Sequence, residues 1–178
     1  MATPDYCTGL TNITILDSVT TIGYGAFVDC TALTSIAIPN SVTTIESAAF
    51  NSCNGFTNII ILDSVTTIES AAFIFCKGLK NITIGNGVRS ISYDTFYHCT
   101  SLKKITFGSS VKGIDYRSFD GCENLTEIYF KGNAPNGCAY ILDVNKKSKT
   151  YYLEGTTGWD APEFDSYRKK DRLNKWSE

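Results

Sequence analysis

The chain of 178 residues has the length of a single domain, and its 43% apolar and 19% charged residues are typical of a protein with a packed core. Its net charge of −2, from 16 basic and 18 acidic residues, excludes a global field that attracts nucleic acid. No stretch approaches the roughly 18 consecutive apolar residues of a membrane span, and a single histidine argues against most histidine-based catalysis. The first residues, MATPDYC, lack the basic and apolar regions of a signal peptide.

A repeat of 23 residues dominates the chain. Cysteine recurs at every 23rd position and forms one column of the repeat. Six further columns with the same spacing hold Leu or Phe, Ile, Ile or Phe, Val, Ile and Phe. No insertion or deletion breaks the register. The repeated cysteines are Cys7, Cys30, Cys53, Cys76, Cys99 and Cys122.

Each period contains two strand-like elements and one compact segment. The Ile-x-Ile element alternates with period two, which predicts a half-buried strand. The Val-x-x-Ile element lies in Thr-rich, β-branched sequence and predicts a second, short strand. Residues 47–53, Ser-Ala-Ala-Phe-Asn-Ser-Cys, predict a short helix or 3₁₀ turn.

Such a unit cannot bury its own apolar face, whereas stacked units can, because each column packs on its copies in the neighbouring units. Parallel strands about 4.8 Å apart would align the isoleucine columns into a continuous core. The sequence therefore predicts a repeat solenoid of 23-residue units, with parallel β-strands and short helical or 3₁₀ turns.

The units Leu33-Thr-Ser-Ile-Ala-Ile-Pro-Asn-Ser-Val-Thr-Thr-Ile and Leu102-Lys-Lys-Ile-Thr-Phe-Gly-Ser-Ser-Val-Lys-Gly-Ile carry a family resemblance. They resemble the leucine-rich repeats of the BspA-like, Treponema-type class, and the match covers about residues 7–130. The resemblance implies a right-handed leucine-rich-repeat superhelix on a secreted or cell-surface protein that is associated with adhesion and protein binding. It brings no catalytic residues and no cofactor.

The repeat weakens toward the C-terminus, which predicts two parts: stacked repeats over residues 1–130 and a degenerate last repeat with a cap over residues 131–178. Continuing the period places Tyr151 and Leu153 in core columns and predicts a seventh strand near 149–153, after an irregular coil. Trp159 and Trp176 suit a cap over the end of the core; exposed aromatics that stack on a sugar are the alternative.

The N-terminus shows no cap of this kind. Pro4 stands in the phenylalanine column, three residues before Cys7. We expect the first repeat to be truncated, as in a fragment of a longer ectodomain.

Seven cysteines allow a disulfide framework, a metal site or a buried column whose thiols donate to the backbone. Neighbouring column cysteines have parallel Cβ directions, which disfavours bridging, and no Cys-x-x-Cys pair occurs. We expect reduced, buried column thiols and a free or half-buried Cys138, which lies outside the register. His98 lies in a turn without a recognisable nucleophile, so no catalytic, metal or cofactor site is predicted.

Leucine-rich solenoids bind through the outward positions of the main sheet, which form a wide and rigid surface. Leu16, Ile60 and Leu62 are large and apolar at such positions, and patches of this kind mark interfaces. The alternative is that they serve only the strand preference of their residue types. The predicted binding residues are Leu16, Ala37, Ile60, Leu62, Thr83, Thr106 and Tyr129.

These observations favour a non-enzymatic module of a cell-surface or secreted protein that binds a protein or glycan of a host or a neighbouring cell. A structural spacer that displays another domain and has no ligand of its own is the alternative. No nucleic acid and no membrane insertion of this chain are expected.

Overall fold

The computed structural model describes residues 7–144 and 146–177, over which the chain winds into stacked turns, here called rungs. Pro4 and its predicted departure from the phenylalanine column lie outside the described residues. The strands are β1 (Thr21–Ile22), β2 (Thr44–Ile45), β3 (Asn58–Ile61), β4 (Thr67–Ile68), β5 (Asn81–Ile84), β6 (Ser90–Ile91), β7 (Lys104–Phe107), β8 (Gly113–Ile114), β9 (Glu127–Phe130), β10 (Lys149–Leu153) and β11 (Leu173–Trp176).

The long strands form one parallel sheet in the order β11-β10-β9-β7-β5-β3. From β3 to β9 the register is that of the repeat, so Ile59 aligns with Ile82, then with Ile105 and Ile128. Two-residue strands form a second side of the solenoid, paired as β1-β2-β4 and β6-β8. Both predicted strand elements of the repeat are therefore present, and the fold is the predicted parallel-strand solenoid.

The segment predicted as a short helix or 3₁₀ turn is a run of turns instead. The N–H of Asn51 donates to Ala48 in its own rung at 3.0 Å, whereas the N–H of Phe50 donates to Ala72 of the next rung at 2.8 Å. Ala48 and Ser52 have positive φ angles of 54° and 59°, which interrupt any helical run. The turns thus join neighbouring rungs as a strand would.

The core consists of the repeated columns, each packed on its own copies. The phenylalanine rings stack face to face with centroids 5.0–5.6 Å apart. The thiol of Cys53 donates to the carbonyl oxygen of Phe27 at 2.9 Å, and the same bond recurs at Cys76, Cys99 and Cys122. These four thiols are the buried donors that the sequence predicts, and Cys138 is free and buried.

The first column pair departs from the prediction, because Cys7 and Cys30 form a disulfide. Their Cα atoms lie 4.7 Å apart, within the roughly 4.4–6.8 Å that a disulfide spans. The short separation between rungs therefore outweighs the parallel Cβ directions on which the expectation of a fully reduced column rested.

The predicted register of the seventh long-strand segment is wrong by one residue. Strand β10 lies where expected, but Thr150 aligns with Ile128, and Tyr152 with Phe130. The connection from β9 is one residue shorter than the repeat, and it contains helix α1 (Cys138–Val144) in place of the predicted irregular coil. Because side chains alternate along a strand, this slip moves Tyr151 to the outer face of the sheet.

The C-terminal residues pack Trp159 against the end of the core and add a further strand. Trp159 is buried, packs on the rings of Phe130 and Tyr152 with centroids 5.0 and 5.2 Å away, and donates its Nε1–H to Gly132. A 3₁₀ turn (Pro162–Phe164) and helix α2 (Asp165–Arg168) then lead to β11, which the sequence analysis did not predict. Trp176 in β11 lies half-buried on the outer face of the sheet, outside the cap core.

Candidate binding face

The outer side of the six-stranded sheet is called the sheet face here. It also includes the same side of the two preceding rungs, where Thr14 and Ala37 form a bridge. In β3 the side chains of Ile59 and Ile61 are buried, whereas Asn58 and Ile60 are exposed, and β5 repeats this alternation. All seven predicted binding residues lie on this face. Leu16, Ala37, Ile60 and Thr83 are exposed, and Leu62, Thr106 and Tyr129 are half-buried.

An apolar cleft of about 380 Å³ opens near the N-terminal end of the sheet face. Ile60 is 63% exposed beside it. Strand β3 is the edge of the sheet. Within the described residues, the segment of the preceding rung on this face makes only an isolated bridge, from Ala37 to Thr14. Pro39, which has no N–H to donate, lies two residues after Ala37 in the same rung. The lining residues are Ile36, Ala37, Ile38, Asn58, Ile60 and Leu62.

The middle of the sheet face, formed by β5 and β7, carries short polar side chains beside the charged Lys104. It presents Thr83 and Thr106 on neighbouring strands, with Gly85 and Gly108 directly after these strands. A Cβ atom on Gly108 would lie 2.4 Å from the carbonyl oxygen of Gly85, so the two rungs approach too closely for a side chain there. This stretch separates the apolar cleft from the C-terminal end of the face.

Three aromatic side chains, Tyr129, Tyr151 and Trp176, form the C-terminal end of the sheet face and are called the aromatic corner here. The rings of Tyr129 and Tyr151 stack with centroids 4.7 Å apart and planes 14° apart. Trp176 lies at 90° to Tyr129 with centroids 5.6 Å apart. The corner is therefore two-sided, with a tyrosine stack along one side and an indole along the other.

Two charged side chains border the aromatic corner. The ammonium of Lys104 lies 4.3 Å from the ring centroid of Tyr129 and 3.9 Å from Glu127 Oε2. The hydroxyl of Tyr129 donates to the same oxygen at 3.2 Å. Burial, followed by the neighbouring Glu127 charge, raises the pKa of Tyr129, so its hydroxyl keeps its proton and remains a donor.

The sequence analysis favoured an interior position for two of these three aromatic residues, although it kept an exposed, sugar-stacking position as the alternative for Trp176. Tyr151 was placed in the core, because the period of 23 was extended across a connection that holds one residue fewer. Trp176 was assigned to the cap. Its spacing of 23 residues from Leu153, with which it aligns in the sheet, is a signal for a further strand. That spacing alone gives the wrong face, because the sequence analysis placed Leu153 in a core column.

The described residues contain no group of three or more His, Cys, Asp and Glu side chains that could hold a metal ion. His98 is half-buried in a turn, and its ring lies 4.3 Å from that of Tyr97. In the part of the chain that the structure describes, no helix has the length and apolarity needed to cross a membrane.

A family model described as BspA type leucine rich repeat region matches residues 5–126 in six copies. The chain belongs to this family. The match spans the stacked rungs through β8, whereas β9, β10 and β11 lie beyond it. The matched repeats therefore contain the apolar cleft and the middle of the face, whereas Tyr129, Tyr151 and Trp176 all lie outside them. Comparison with curated proteins gives no match.

Solved structures of bacterial leucine-rich repeat proteins have the same fold. The T. pallidum leucine-rich repeat protein is 22% identical with a TM-score of 0.66, over 89% of this chain and 79% of its own. A leucine-rich cell surface protein of Faecalibacterium prausnitzii is 25% identical with a TM-score of 0.61, over 85% of this chain and 50% of its own. For a Eubacterium ventriosum protein the identity is 26% and the TM-score 0.61, over 66% of this chain and 33% of its own. The chain thus matches half of the second protein and a third of the last.

Proposed function

We propose that this BspA-type chain is a non-enzymatic binding module of a cell-surface or secreted protein, and that it engages a protein or glycan partner through the sheet face. The observation that carries the proposal is the 63% exposure of Ile60 at the apolar cleft. When a partner covers the exposed apolar surface of a concave site, burial of that surface contributes favourable binding free energy. The similar Faecalibacterium protein, described as a cell surface protein, supports the proposed location.

Rigidity adds to the suitability of this face. Ile60 lies in a strand that is hydrogen-bonded to β5, and its neighbours Ile59 and Ile61 are fixed in the core. A partner therefore loses little binding free energy to ordering of the face, because the backbone there is already fixed. Repeat solenoids in general bind through extended surfaces of this kind.

The test is binding of the purified chain to an array of extracellular matrix proteins and glycans, with the variants Ile60→Lys and Thr67→Lys measured in parallel. Both variants add one positive charge at an exposed strand position, but Thr67 belongs to β4 on the second side of the solenoid. We expect Ile60→Lys to weaken binding at least about tenfold, while Thr67→Lys retains it.

Two results contradict the proposal. Equal binding by the parent chain and both variants places the binding site away from the apolar cleft. Failure of the folded chain to bind any member of the array favours a spacer that displays other domains. Circular dichroism of each variant shows that a loss of binding does not follow from unfolding.

A further inference from the structure

We infer that the aromatic corner is a saccharide-binding site, in which Trp176 offers a ring face and Glu127 and Lys104 offer hydrogen-bonding partners, and that neutral sugars are the class of ligand. The inference rests on the proposed function, since it names the ligand class for one end of the same sheet face. It concerns residues at the opposite end from the apolar cleft.

The arrangement of the rings leaves the indole as the available stacking surface. Tyr129 has Tyr151 stacked on it at 4.7 Å and the ammonium of Lys104 at 4.3 Å from its centroid. These two groups come from the strands on either side of β9, so both faces of Tyr129 are occupied. Trp176 meets Tyr129 at 90° and is half-buried. The apolar C–H face of a pyranose can therefore stack on the indole, with the tyrosine edges at its side.

The polar groups around the corner suit hydroxyl groups. Glu127 can accept hydrogen bonds and Lys104 can donate them, and the two side chains remain 46% and 45% exposed. Because they lie 3.9 Å apart, their charges offset each other. The corner thus combines a donor and an acceptor with little net charge, which favours a neutral saccharide over an acidic one.

The indole N–H supplies an independent observation. Trp176 Nε1 is buried and has no hydrogen-bond partner among the described residues. A buried donor without an acceptor carries a desolvation cost that native structures usually avoid. A small rotation of the indole that brings this N–H to a ligand hydroxyl would satisfy it. In contrast, the other indole, that of Trp159, is satisfied by Gly132 at 3.3 Å.

The two ends of the sheet face differ in polarity and therefore suit different classes of ligand. The lining of the apolar cleft includes a single polar side chain, Asn58, which suits an apolar anchor of a protein. The corner instead places rings beside charged groups, which matches a sugar that has one apolar face and a rim of hydroxyls. The shortened connection before β10 brings Tyr151 beside Tyr129, so the corner depends on a departure from the repeat.

The experiment follows the indole N–H signals of the ¹⁵N-labelled chain during titration with cellotetraose, chitotetraose and, as the acidic comparison, a hyaluronan tetrasaccharide. The chain contains only two tryptophans, so the buried Trp159 serves as an internal reference for the cap. We expect at least one neutral tetrasaccharide to shift the Trp176 signal with a dissociation constant on the order of 1 mM, to leave the Trp159 signal in place, and to bind more tightly than the acidic one.

Three variants make the result specific. Trp176→Ala removes the stacking surface and Tyr151→Thr restores the threonine of the middle rungs; both should weaken binding at least about tenfold. Tyr116→Ala removes an aromatic side chain that is 60% exposed outside the sheet face, and it should bind as the parent chain does. An unchanged Trp159 signal shows that each variant keeps its folded cap, and backbone amide shifts report binding where Trp176 is absent.

Absence of a Trp176 shift with both neutral sugars overturns the inference, as does undiminished binding by Trp176→Ala or tighter binding of the acidic sugar. These results are separable from the test of the proposed function. A protein of the array that binds the parent chain and is lost with Ile60→Lys would support the proposed function, even where the tetrasaccharides fail to bind.

Discussion

The column thiols Cys53, Cys76, Cys99 and Cys122 each donate to a carbonyl oxygen at 2.9–3.2 Å. Burial raises the pKa of Cys53 and of Cys99, and raises that of Cys122 to about 12. Because the thiolate is the reactive form of cysteine, Cys53, Cys99 and Cys122 are inert and structural at neutral pH. At the scale of the residue, the column is a set of small apolar groups that also satisfy backbone acceptors.

The raised thiol pKa values predict a loss of stability in alkaline solution. Between the ordinary pKa of 9.0 and the folded value of about 12 for Cys122, the unfolded chain releases a proton that the folded chain retains. Stability is therefore fully present below pH 9 and declines as the pH rises, by about 1.4 kcal/mol per pH unit for each such thiol. Urea unfolding between pH 8 and 11 measures it, and Cys122→Ala should show a shallower decline. An identical slope in the variant would contradict this assignment.

At the scale of the element, the alternation of Ile59, Ile60 and Ile61 was predictable, because one face of each strand is buried and the period of a strand is two. The slip at Thr150 was not predictable, and β11 had only the spacing of 23 residues between Leu153 and Trp176 as a signal. The connection between β9 and β10 contains a helix and is one residue shorter than in the other rungs, and the residue patterns of the two flanking strands do not reveal this difference. In β11 only Leu173 is buried, so the strand carries no apolar alternation. The predicted orientation of the face holds, while the residues of the aromatic corner depend on the length of a connection.

Neighbouring isoleucines in β3 should respond very differently to truncation. Ile59 is 3% exposed and Ile60 is 63% exposed. We expect Ile59→Ala to lower the free energy of unfolding by about 2–5 kcal/mol, since it removes buried methyl groups and leaves a cavity. Ile60→Ala should change it by less than about 0.5 kcal/mol. Chemical denaturation of both variants measures the difference, and similar losses in the two would show that the alternation in β3 is misassigned.

At the scale of the whole molecule, stability is a sum over rungs and the contacts between neighbouring rungs. The two ends differ in how they are secured. Trp159 covers the C-terminal end of the core, whereas at the other end of the described residues Ile13, Ile15 and Val19 are only half-buried. The Cys7–Cys30 disulfide joins the first two described rungs at that end.

Removal of this disulfide should increase local opening in the first rungs and leave the distant rungs unchanged. In hydrogen exchange, we expect Cys7→Ser to lower the protection of amides in residues 8–29, because the disulfide no longer limits local opening there. Amides of β5 and β7, several rungs away, should keep their protection, since each rung contacts only its neighbours. A uniform loss along the solenoid would indicate that the chain opens as one cooperative unit instead.

The constant rung length makes the solenoid adjustable in length. Removal of residues 77–99 would join Cys76 to Thr100 and return every column to register, because each rung presents the same carbonyls, rings and thiols to the next. The shortened chain would keep both the apolar cleft and the aromatic corner, brought closer by one rung spacing, the 4.7 Å between the Cα atoms of Cys7 and Cys30. A ligand that spans both ends would detect this step, whereas a ligand held at one end would not. The number of rungs thereby sets the distance between the apolar cleft and the aromatic corner.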